Sequence, residues 1–185
     1  MTAPTYAPAL LQLVAAPGPL THKLLWRALA PAEKKLAARE LLADTDSPWA
    51  KAAVVDALAK VNKGFRRPTI AAWPAEKMAD ELSRRPLDDL SLIDSLLKSL
   101  HFPGRAHIQA AFFDAAGIPH TDGVVEGDTL AQPAATPEVV RGAAASLLTS
   151  HPGDPALFYL LCISALEPLA WPTLHGALRE LVPAA

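Results

Sequence analysis

Four carboxylates and two imidazoles are gathered in one short stretch of this chain, at His107, Asp114, His120, Asp122, Glu126 and Asp128. Imidazole and carboxylate together can ligate a divalent metal, and they can also act as an acid–base pair. His107, Ala111 and Asp114 run along nearly one face of a helix expected over about 105–116. The loop that follows supplies the other four groups. A working site requires that loop to fold back until imidazole meets carboxylate; a charged loop facing water is the alternative. Spacing alone leaves the cofactor unknown.

A second constellation is basic. Lys60, Lys63, Arg66 and Arg67 precede Pro68, and Arg84-Arg85 closes the next helix, where cations suit the negative helix end. Phe65 and Trp73 interleave aromatic surface. Arginines beside aromatic rings can hold nucleic-acid phosphates while bases stack. The set Lys63, Phe65, Arg66, Arg67, Trp73, Arg84 and Arg85 equally suits an acidic protein partner, a subunit contact or a solvated face. No recognition helix, zinc finger or ribonucleoprotein motif accompanies it, and the formal net charge is -2.

The short motifs of catalysis are missing. The chain has no His-Glu-x-x-His, no Gly-x-Ser-x-Gly, no phosphate-binding glycine loop and no dinucleotide fingerprint. Its other histidines, His22, His101, His151 and His175, form no i,i+4 pair on an expected helix. Cys162 is the only cysteine, which excludes an intrachain disulfide and a cysteine-based metal cluster. Its neighbours Leu160, Leu161 and Ile163 read it as a buried small hydrophobe. Trp26, Trp49, Trp73 and Trp171 can anchor an interface or pack across helix junctions.

These residues must be positioned by a scaffold that the rest of the sequence describes. With 185 residues, 51% hydrophobic and 19% charged, the chain can bury a core without staples. Much of the apolar content is alanine, which favours helix and close helix approach. Charge is uneven: residues 1–85 carry a net +5 and residues 86–185 a net -7, an asymmetry able to steer a partner or organise an oligomer. The N-terminus makes a poor signal peptide, and no apolar run is long enough to span a bilayer. A cytoplasmic, soluble protein is the expectation.

Prolines mark helix starts. Ser47-Pro48, Thr136-Pro137 and Asp154-Pro155 each place an N-cap acceptor before proline at the first helical position, and Ala30-Pro31 and Trp73-Pro74 offer the proline alone. Helices are expected near 6–15, 20–29 and 31–43, from Pro48 toward a stop at Gly64, and from Pro74 to Arg85. Leu90, Leu92, Ile93, Leu96, Leu97 and Leu100 sweep a wide apolar arc over 88–100, so that helix should touch two neighbours. A short turn then leads to the 105–116 helix, which Gly117 and Pro119 terminate. Residues 117–135 read as a long connection. Further helices follow over 137–150, 155–166 and 172–181, although Leu157–Ile163 is also compatible with a buried strand.

The expected fold is therefore all-α: an irregular multi-helix bundle of antiparallel hairpins, or a short degenerate helical-repeat fold. It forms a single domain over 1–185, with a subdomain boundary near 117–135. The favoured function is a noncatalytic protein-interaction or scaffold module, with a protein partner or a homo-oligomer. The alternatives are a small helical metal-binding protein or enzyme using 107–128, and nucleic-acid binding through 60–85.

Overall fold

The computed structural model describes residues 5–45, 47–62, 64–102, 104–125 and 135–182. Among them the fold is all-α, with eleven helices and no strand. They are α1 (Pro8–Ala15), α2 (His22–Ala28), α3 (Pro31–Ala43), α4 (Pro48–Val61), α5 (Arg67–Ala71), α6 (Ala75–Ser83), α7 (Leu90–His101), α8 (Ala106–Ala116), α9 (Pro137–Ser150), α10 (Asp154–Leu166) and α11 (Leu174–Leu181). Contacts divide the chain into two compact units. Unit 1 combines Met1–Leu25 with Arg105–Ala185, and unit 2 is Trp26–Gly104.

Unit 1 packs α9 against α8 and α11, with α10 against α1 and α11. Residues Ala156 to Ile163 of α10 are all buried. Leu157–Ile163 is thus helix and not strand: with apolar neighbours on several sides, the helix has no polar face to show. An aromatic cluster fills this core. Phe112 of α8 meets Trp171 edge-on at 5.0 Å and Tyr159 of α10 at 5.9 Å. Burial holds the Tyr159 hydroxyl well above its ordinary pKa.

Unit 2 is built on α3, which lies against α6 and α7. The face it buries holds Ala37, Ala38 and Leu41, and α6 buries Ala79, so methyl side chains allow close approach. The expected arc of α7 buries Leu92, Ile93, Leu96, Leu97 and Leu100 and meets both α3 and α4. Leu90, at the start of that arc, is exposed. Asp89 caps α7 by accepting from Leu92 N–H at 3.1 Å.

Several end signals differ from expectation. Thr136 caps α9 through Val139 N–H at 3.4 Å, but Ser47 makes no side-chain cap for α4. Asp154 is already helical, and its carboxylate instead accepts from Ala7 N–H at 2.9 Å, before α1. Pro74 is the N-cap of α6 and not its first helical residue. Helix α4 stops at Val61, short of Gly64. Gly117 does end α8, with φ +69, a left-handed conformation that glycine adopts without a Cβ penalty.

Candidate functional site

The loop after α8 does fold back on its helix. Asp122 and Gly123 have φ +50 and +83, and Thr121 and Val124 exchange backbone hydrogen bonds at 2.8 Å. Positive φ at both central residues is the signature of a type I′ hairpin turn, for which Asp-Gly is a preferred pair. A Cβ on Gly123 would come within 3.1 Å of the Ala106 carbonyl oxygen, so close approach also requires glycine there. Buried Gln109 donates from Nε2 to the Gly123 carbonyl at 2.6 Å.

This turn determines what His120 can do. Gly123 N–H donates to His120 Nδ1 at 3.1 Å. The neutral ring therefore carries its proton on Nε2, which donates to the exposed Asp114 carboxylate at 3.2 Å. With both nitrogens engaged, this imidazole fastens the hairpin to α8 and offers no lone pair to a metal or substrate.

The remaining members of the constellation are placed elsewhere or lie beyond description. Asp122 is exposed at the turn. His107 is exposed on α8 and has His151 as a ring neighbour, at 6.0 Å between centroids. Glu126 and Asp128 fall outside the described residues. Among the described residues, no three His, Cys, Asp or Glu side chains are grouped to hold a metal.

The basic set lies in unit 2, and three of its described members are answered internally. Arg67 pairs with Asp56 of α4 at 3.0 Å. Arg84 pairs with Asp80 at 2.8 Å and Arg85 with Glu81 at 3.1 Å, each one helical turn away. Lys35 and Arg39 of α3 both reach Glu76 of α6, at 2.8 and 3.3 Å. The hydrogen bond from Lys35 is the main reason the Glu76 pKa lies below the ordinary carboxylate value. The whole unit holds 13 basic and 11 acidic side chains, a net of +2. The stronger polarity of the linear halves is diluted because Asp88, Asp89 and Asp94 belong to this same unit.

What stays available is an aromatic and cationic surface between α4 and α6. Phe65 is 46% exposed and meets Trp73 edge-on at 5.2 Å. Lys77 sits over the Trp73 ring at 4.2 Å, a distance at which the ring's electron-rich face attracts the ammonium. Arg66, the N-cap residue of α5, is exposed between Phe65 and the helix. Lys60, Arg66 and Lys77 have no carboxylate partner among the described residues. Lys63 lies outside them. Lys77 was not singled out by the sequence reading; Trp73 lies just before the Pro74 N-cap of α6, and the first turn of that helix brings Lys77 back over its ring.

Trp26 and Trp171 are buried, whereas Trp49 is 47% exposed at the start of α4. Cys162 is fully buried. Among the described residues, no helix is long and apolar enough to cross a membrane. Comparison of the chain with protein-family models, curated proteins and solved structures gives no match.

Proposed function

We propose that this chain is a noncatalytic helical interaction module that engages a protein partner through the Phe65–Trp73 surface of unit 2. The observation that carries this reading is an aromatic pair held ready at the surface. Phe65 is exposed, fixed edge-on to Trp73, and Trp73 is itself stacked under Lys77. A rigid ring exposed before binding loses little rotamer freedom on contact, and such rings dominate interface energetics. The fastened His120 supports the same reading from the other side, because the best imidazole–carboxylate pair is committed to holding a hairpin.

Selection of displayed peptides against the intact protein tests this proposal. Selected segments should bind the native chain and lose affinity about tenfold or more with Phe65→Ala or Trp73→Ala, the loss typical of an interface anchor. Leu169→Ser, in unit 1, serves as the exposed control and should leave binding unchanged. Circular dichroism of each variant confirms the helical fold. Selection of no segment, or of segments indifferent to both aromatic substitutions, overturns the reading.

A further inference from the structure

The charges that frame the aromatic pair point to the chemistry of its partner. Among the described members of the basic set, three are answered within the chain: Arg67 by Asp56, Arg84 by Asp80 and Arg85 by Glu81. The acid nearest in sequence to Lys77 is Glu76, and it is occupied by Lys35 and Arg39 of α3. Among the described residues of this region, the cations without an ion-pair partner are Lys60 on the last turn of α4, Arg66 beside Phe65 and Lys77 over Trp73. They flank the rings in sequence on both sides. The surface is thus apolar with a cationic rim, and none of these three cations has an ion-pair partner among the described residues, the acids near them in sequence being paired with other cations.

We infer that the occupant of this surface is an acidic polypeptide segment carrying a bulky apolar side chain, which rests on Phe65 and Trp73 while its carboxylates face Arg66, Lys77 and Lys60. This rests on the interaction reading above and names the class of partner it requires. The apolar anchor follows from the rings: Phe65 is exposed, Trp73 is half-buried beside it, and the edge-on contact already orients the pair. The carboxylates follow from complementarity, since opposite charge at a rim steers encounter and rejects basic competitors. A polynucleotide is disfavoured by the same arrangement. Phosphate tracking needs a continuous row of open cations, and the ion pairs of Arg67, Arg84 and Arg85 break that row.

The test compares three probes on the intact protein by fluorescence anisotropy. One is an acidic peptide with a central tryptophan, the second is the same peptide with every carboxylate replaced by its amide, and the third is a single-stranded oligonucleotide of equal charge. The acidic peptide should bind about tenfold tighter than its amide counterpart at low salt, with the gap narrowing as salt screens the rim. Arg66→Gln and Lys77→Met should each weaken the acidic peptide by about 1.5- to 5-fold and leave the amide peptide nearly unaffected. Phe65→Ala should weaken both peptides. Equal binding of the two peptides, still lost with Phe65→Ala, rejects the acidic partner while the interaction surface stands. Indifference of both peptides to Phe65→Ala and Trp73→Ala rejects the surface itself. Tighter binding of the oligonucleotide than of the acidic peptide overturns the inference in favour of nucleic acid.

Discussion

Unit 1 keeps an aromatic cluster inside and turns several polar side chains onto its own backbone, whereas unit 2 leaves rings at the surface and ties its helices together with ion pairs. In unit 1, Phe112, Tyr159 and Trp171 form one interior cluster. There His175 bonds the Leu13 carbonyl at 3.0 Å, Arg179 bonds the carbonyls of Val14 and Ala16, and Asp154 takes Ala7 N–H. These contacts tie the ends of α1 to α10 and α11, where helix termini leave backbone groups unpaired. In unit 2, Phe65, Phe102 and Trp49 are exposed, and the ionic contacts run side chain to side chain between α3, α4, α5 and α6. Trp26 is its one buried tryptophan. The difference teaches where to look for function: polar groups that complete a backbone are committed, while rings left in water remain open to a partner.

The sharpest way to break this contrast is to delete one ring from each unit. Phe112→Ala removes a fully buried side chain and should lower stability by about 3–5 kcal/mol. Phe65→Ala should cost about 1 kcal/mol or less, from loss of the edge-on contact with Trp73. Urea denaturation of both variants measures the gap. Comparable losses for the two would mean that Phe65 supports the fold and is not held for a partner.

A smaller effect is expected at the hairpin. Gln109→Leu keeps the apolar volume but leaves the buried Gly123 carbonyl without its donor, which should cost about 1–3 kcal/mol. The same variant should increase hydrogen exchange at the amides of Val124 and Gly123 before it affects α10. Unchanged exchange in the hairpin would show that His120 alone fastens it.

These particular residues also show how far the chain could be read as a string. Helices with full apolar arcs, such as α7, were legible because burial repeats every three to four residues. The five-residue α5 was not, since it is too short to complete a repeat and is marked only by Pro68. The hairpin had a local signal in Asp122-Gly123, but a single tight turn is easily absorbed into a longer connection. The pairing of Arg84 and Arg85 with acids four residues earlier was available from spacing, whereas the stacking of Lys77 on Trp73 depends on how the chain enters α6. Asp154 was different. Its use by Ala7, 147 positions away, follows only from tertiary packing, and it displaced the local cap that the Asp-Pro pair suggested. Site chemistry was less legible than fold for the same reason: the fate of a carboxylate depends on which distant group reaches it first.

The ion-pair network of unit 2 offers the gentlest test of the contrast, through its pH dependence. The hydrogen bond with Lys35 lowers the Glu76 pKa and raises that of Lys35, with further attraction from Arg39 on the carboxylate. A depressed carboxylate pKa means that the folded state favours the ionised form, so its contribution is present above the ordinary carboxylate range and disappears as pH falls through the folded-state value. A raised lysine pKa acts in the opposite direction: its share is present below the ordinary lysine range and is lost as pH rises through the folded-state value. The pair therefore stabilises only in the window between the two. Glu76→Gln should lower the melting temperature slightly near neutrality, and the difference from the native chain should vanish as pH falls below the ordinary carboxylate range and shrink again as pH rises beyond the ordinary lysine range. Because Glu76 is exposed and Lys35 only half-buried, the effect should also fade with added salt. A difference that stays constant across pH would assign the effect to helix propensity or packing, and the ionic surface of unit 2 would then contribute nothing to holding α3 against α6.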